Sequence, residues 1–455
     1  MTRILIPSGA LGLGYDKEAM ARAIAAKPDL IAIDGGSTDS GPSYLGRGVS
    51  KYSRASTRLE WKGLMEARAE AGVPLVIGTA GTCGTDSAVD WLLEITRDIA
   101  AELGQSLKIA VLRSSQQAAI VTTAFNSGKL HPLSPAPDLS ADAIENFTNI
   151  VALAGAEQIQ AAINTGADII IAGRTTDTAI IAALPLMQGC HPGAAWHGAK
   201  IGECGALCAS NPQSGVVLID FDTDGFTITP TADGANASPH TVSAHMLYEN
   251  ADPFILYEPG GHLDVTNAHY EAIDTKSVRA TGAQWVPSQR YTVKLEGARI
   301  AGYQIMAFAL LRDKRYVDQA QQWADDIVQK SREKAIDRLG LAEEDFTIEL
   351  RLIGKNATFG ALEPENTNYR PTEIGVMGFV TASTMAMAQE IGKILNPYLL
   401  HHPLTREEEQ PTFAFQFSPA EVPVGPVYEF CLNHVMELDH PMDAFALETL
   451  EVGRG

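Results

Sequence analysis

Through the first 215 residues, short apolar runs alternate with longer segments of helical period. The runs Arg3–Pro7, Asp29–Asp34, Pro74–Gly78, Lys108–Leu112 and Asp168–Gly173 are nearly continuous in hydrophobic residues, as strands buried on both faces must be. Between them, Lys17–Ala26, Thr57–Ala71, Asp86–Leu103, Gln116–Ser127 and Ala141–Thr165 read as helices. In Asp86–Leu103, for example, Val89, Leu92, Ile99 and Leu103 recur at helical spacing. Strands alternating with helices predict a parallel sheet covered on both faces and joined by right-handed crossovers.

Near Asn211–Gly215 the texture changes. β-rich stretches such as Ser277–Leu311 precede a helix around Asp318–Leu339, strands at Phe346–Gly354 and Thr372–Thr381, and a helix at Ser383–Leu395. The expected fold is therefore α/β: an N-terminal parallel sheet flanked by helices over residues 1–213, and a second, mixed α+β domain over residues 214–455. Lys129–Asp142, rich in Pro and Ser, reads as a surface excursion. The Pro- and aromatic-rich segment from about Gln410 is expected to pack on the body or at a subunit interface, which makes a homo-oligomer the expected state.

Composition narrows the function classes. With 455 residues, 45% hydrophobic and 20% charged, the chain is globular and long enough for two or three cores. A net charge of −21 argues against a general nucleic-acid binder, which needs a basic face. It leaves room for a small anionic substrate, because the local field of a site can oppose the net charge. No apolar run approaches the ~18 residues of a spanning helix, so no membrane association is expected. Five cysteines and no secretory pattern at the N-terminus point to a cytoplasmic protein without a disulfide framework.

In a parallel α/β sheet, ligands bind where strand C-termini lead into loops and helix N-termini. Four such loops have unusual composition. Ser8–Gly14 has GxxGxG spacing, so it is no dinucleotide fingerprint. Asp34–Gly41 (DGGSTDSG) offers Asp34 as an acid or base, with Ser37, Thr38 and Gly41 as donors to an anion. Gly78–Asp86 (GTAGTCGTD) forms an anion cradle in which Gly81 and Thr82 would contact substrate; Cys83 reads as a buried thiol or, alternatively, a nucleophile. Gly173–Asp177 (GRTTD) supplies Arg174 as a bidentate clamp for a carboxylate and Asp177 as a cap or acid/base; Arg113 is a weaker further contact. Gathered at one rim, Asp34, Asp39, Asp86 and Asp177 beside Arg174 suit proton abstraction, or could hold Mg²⁺ through oxygen ligands.

Beyond these loops, His262 in PGGHLD is the acid/base candidate of the second domain. Cys190, His191, His197, Glu203, Cys204 and Cys208 lie close in sequence but lack zinc spacing, and His245 reads as structural, so no metal ligand is assigned. There is no G-x-S-x-G elbow of the α/β-hydrolase type.

Several of these motifs, in this order, resemble the acyclic terpene utilisation AtuA-like family over roughly residues 1–420. The carriers are Gly9–Gly14, Asp34–Gly41, Ile171-Ala-Gly-Arg-Thr-Thr-Asp177, Gly202-Glu-Cys-Gly205, Thr241–Tyr248 followed by Asp252-Pro253, Glu373–Thr381 and Phe413–Pro419. The resemblance implies catabolism of a small carboxylate or acyl thioester, and a separate small companion protein as a partner. Thr175-Thr176 after Arg174 and the Ser/Asp-rich loop after Asp34 depart from the commoner family pattern and suit a smaller, more polar acid than a terpenoid one. The expected activity is a lyase of the hydratase or dehydratase type. The alternatives are a hydrolase of a small acid derivative and a non-catalytic ligand-binding or assembly subunit.

Overall fold

The computed structural model describes residues 1–364 and 370–453. The five N-terminal strands form at Thr2–Ile6, Leu30–Asp34, Leu75–Gly78, Leu107–Arg113 and Ile169–Ala172. They pair in parallel, with Leu75–Gly78 and Leu107–Arg113 flanking Ile169–Ala172. Alternate residues serve opposite faces. Ile4, Leu30, Ala32, Val76, Ala110 and Ile170 enter one core with the helices Ala156–Ile163, Ala179–Met187 and Pro192–Gly202. Leu5, Ile31, Ile33, Ile77, Ile109 and Ile171 enter the other with Lys17–Ala25, Arg54–Ala71 and Asp86–Leu103. Both faces are covered, which is why these strands carry no polar alternation.

The sheet then continues antiparallel on both sides. Val217–Phe221 pairs with Thr2–Ile6, followed outward by Gly225–Pro230, Val278–Thr281 and His269–Ala272. Ala446–Val452 pairs with Leu107–Arg113 and completes ten strands. The break read at 213/214 thus falls inside this sheet, where pairing changes from parallel to antiparallel. The compact units are residues 1–299 together with the segment from Phe430 onward, and Ile300–Glu429. The second unit has the strands Phe346–Ile353 and Ile374–Ala382 beside the continuation of Tyr291–Leu311. All are antiparallel, with helices Ala320–Leu339 and Met385–His401 sharing their core.

One predicted helix, Ala141–Thr165, is instead a short helix Ala141–Glu145, a strand Asn149–Ala152 and a helix Ala156–Ile163. A short apolar run such as Ile150–Leu153 has no period that separates strand from buried helix. Pairing with Leu295–Ala298 decides it. No helix among the described residues is long and apolar enough to cross a membrane.

Candidate functional site

The strand-end loops meet through direct contacts. Gly35 N–H donates to Gly78 O at 2.7 Å, and a Cβ on Gly35 would lie 2.3 Å from Thr79 O. Gly84 O accepts from Arg174 N at 3.1 Å, and a Cβ on Gly84 would lie 2.2 Å from that nitrogen. Only glycine permits these approaches. Ser114, at the end of Leu107–Arg113, donates to Gly84 O and accepts from Arg174 N at 2.6 Å. Thr79 and Thr82, both fully buried, hold φ of +47° and +75°, a region that β-branched residues rarely occupy and that concentrates at functional sites. The gathering of Asp34, Thr38, Gly81, Thr82 and Arg174 on one rim is therefore observed.

Arg174 is buried, and its fork faces a protein carboxylate. Nε and Nη2 donate to Glu296 at 3.0 and 3.3 Å, Nη1 donates to Thr79 Oγ1 and Thr175 O, and Nη2 also reaches Thr38 Oγ1 at 3.4 Å. This corrects the expected substrate clamp: the bidentate edge is already engaged. Thr38 Oγ1 donates to Glu296 as well, at 3.1 Å. Burial opposes the Glu296 charge, yet Arg174 and Lys294 bring its carboxyl down to about 2. The guanidinium is thus a fixed internal cation.

Asp34 ends its strand 4% exposed. Oδ2 accepts from Gly36 N–H at 2.9 Å, whereas Oδ1 is buried without a partner. Burial raises its pKa well above the usual carboxylate range; the Asp177 charge adds to this and Arg174 opposes it. Asp177, 3.9 Å from Arg174 Nη1, is likewise raised, first by desolvation, with Arg174 working against it and Asp39 adding to it.

A second group lies beyond Asp177. Lys200 Nζ sits 2.5 Å from Glu203 Oε1, and both side chains are buried. Glu258 accepts from Thr178 Oγ1 at 2.5 Å while its Oε2 is orphaned. Burial pushes Glu203 to about 8 and Glu258 to about 7, and Asp177 contributes to both. Among the described residues, the one set of three metal-ligating side chains is Glu203, Cys204 and His245, with ligand atoms within 4.8 Å of one another. The all-oxygen set imagined for Mg²⁺ is not assembled among them.

The remaining expected residues separate. Ser37 caps a short turn, accepting from Asp39 N–H, and Gly41 closes that turn at φ +100°. Arg113 is taken by Asp90 and Glu448 at 2.9 and 3.0 Å. It points away because strand neighbours alternate, and the inward position belongs to Ser114. His262 pairs in register with Tyr257, on the opposite face of its hairpin from the Glu258–Gly261 pair. The useful residue of that hairpin is accordingly Glu258, and His262 packs near the Tyr257 ring. Cys83 is fully buried, and burial raises its thiol pKa, which removes the nucleophile reading. The glycine loop after Thr2–Ile6 gives its Gly12 and Gly14 N–H groups to Glu60.

A cleft of about 380 Å³ opens beside the buried pair, lined by Thr38, Asp39, Lys294, Glu296 and Asn433, with Pro135 and Pro137 from the supposed surface excursion. Sequence reasoning missed Glu296, Lys294, Lys200 and Glu258. Only the Pro-Gly-Gly turn after Glu258 carried a local signal.

The family model for the acyclic terpene utilisation family protein AtuA matches residues 50–191 and 193–423. The chain belongs to this family. No curated protein and no solved structure matches it. The AtuA match spans Arg174, Asp177, Lys200, Glu203, Cys204, His245, Glu258 and Glu296, while Asp34 and Thr38 precede it.

Proposed function

We propose that this AtuA-family protein is a lyase of the hydratase or dehydratase type acting on a small carboxylate or acyl thioester. The observation that carries the proposal is the Asp34–Asp177 couple, in which Asp34 is buried and the Asp177 side chain is 31% exposed. Both carboxyls are shifted upward, each by burial first, and Asp34 Oδ1 has no hydrogen-bond partner. Two carboxyls that resist joint ionisation tend to retain one proton between them, so one can act as base while the other acts as acid.

In the dehydration direction, the Asp34 carboxylate takes the proton from the carbon α to the substrate carbonyl. Asp177 then gives its proton to the departing β-hydroxyl, which leaves as water, and the C–H electron pair becomes the new double bond. Hydration runs the same steps backwards. Lys294, its side chain 41% exposed in the adjoining cleft, is suited to an acidic group of the substrate. Arg174 acts at a distance: its charge, locked by Glu296, counters the upward shift of both aspartates.

The test is solvent exchange. Short 3-hydroxyacyl and 2-enoyl thioesters, and the free acids, are incubated with the purified chain in D₂O and followed by NMR. Deuterium should enter at the α-carbon, and Asp34→Asn should slow entry by at least about 10²-fold. Equal exchange by Asp34→Asn would reject the assignment. Binding of these acids without any exchange would favour the non-catalytic subunit.

A further inference from the structure

Glu203, Cys204 and His245 come from two segments, the end of the Pro192–Gly202 helix and the Pro239–His245 helix. They supply one carboxylate oxygen, one thiol sulfur and one imidazole nitrogen, all within 4.8 Å of one another. We infer that these three residues form a binding site for a single divalent zinc-like cation.

The donor set itself selects the metal. A mixed oxygen, sulfur and nitrogen set of three, with room for one more ligand, is the pattern of zinc centres that keep an exchangeable position; Mg²⁺ and Ca²⁺ would avoid the sulfur. A second observation is independent of this geometry. His245 is 5% exposed and its Nε2 has no hydrogen-bond partner, a loss that a buried imidazole normally avoids. Lys200 holds Glu203 through Oε1, which leaves the second carboxylate oxygen for a ligand and orients the group as an outer-shell partner does.

Metal binding would displace the Cys204 thiol proton.

The site adjoins the proposed acid–base couple, but its test reads the metal and not turnover, so either idea can fail alone. Full-length protein stripped with chelator is titrated with Zn²⁺, and separately with Co²⁺ as a spectroscopic probe. One equivalent of Co²⁺ should produce a thiolate-to-metal charge-transfer band, displaced by Zn²⁺. Cys204→Ser should abolish the band, while Cys190→Ser should retain it. His245→Ala should weaken binding by at least about tenfold, since loss of an outer-shell partner alone costs that much. Circular dichroism confirms that each variant is folded. Absence of the band in the parent protein, or its persistence in folded Cys204→Ser, would overturn the site.

Discussion

At the residue scale, the Arg174–Glu296 pair decides how the crevice is charged. Both side chains are below a tenth exposed, so removing one partner strands the other charge in protein. Glu296→Gln should lower the unfolding free energy by about 3–5 kcal/mol, read by denaturant titration. Replacing both, as Arg174→Met with Glu296→Leu, should recover much of that loss. An equal loss in the single and double variants would show that the pair is not an isolated buried couple. Asp34 behaves oppositely. Its charge is buried with an orphaned Oδ1, so Asn at this position removes an electrostatic cost. Asp34→Asn should unfold at no lower denaturant concentration than the parent while losing α-carbon exchange. A residue that loses function without losing stability is placed for chemistry, not for packing.

At the element scale, the parallel strands and their loops act as one device. Gly84 sits at φ +65° against the Arg174 backbone, and Ser114 closes the contact. Gly84→Ala must move one strand-end loop off another and should cost more than about 2 kcal/mol, with the loss visible in the same titration. The last strand, Ala446–Val452, covers Leu107–Arg113, whose inner residues are fully buried. Truncation after Phe445 would leave that strand as an open sheet edge, and association should follow, detected as a rise in light scattering. A truncated chain that stays monodisperse would show that this edge is protected in another way. The five parallel strands and the long helices Arg54–Ala71, Asp86–Leu103, Ala320–Leu339 and Met385–His401 were legible in the sequence because burial on both faces writes a continuous apolar run and helical period writes itself locally. The strand Asn149–Ala152 was not, because its identity depends on a partner 143 to 149 residues away, in Leu295–Ala298.

At the scale of the whole molecule, acid sensitivity follows from a buried histidine of the Pro192–Gly202 helix. His197 is fully buried, with Nε2 on Tyr270 OH and Nδ1 unpartnered; desolvation lowers its pKa from 6.5 to about 3. Below pH 6.5 the unfolded chain takes a proton that the folded chain refuses. Its stability contribution is therefore complete above that value and is lost as pH falls toward about 3, at roughly 1.4 kcal/mol per pH unit. His197→Phe should flatten the decline of unfolding free energy between those limits. An unchanged slope would place the acid sensitivity elsewhere.

Membership of the AtuA family, the strand-end position of Asp34, Thr38, Arg174 and Asp177, and the α/β class were all determined by local pattern: apolar runs, glycine loops and the order of motifs. Which charges meet was decided only by the tertiary structure. Arg174 finds Glu296 across 122 positions, and Cys204 meets His245 only when two helices pack. Side-chain periodicity states which face a residue takes, as Arg113 and His262 show by facing away from the crevice. It cannot state what waits on that face, because the partner is supplied by a distant segment whose approach is set by the packing of the core.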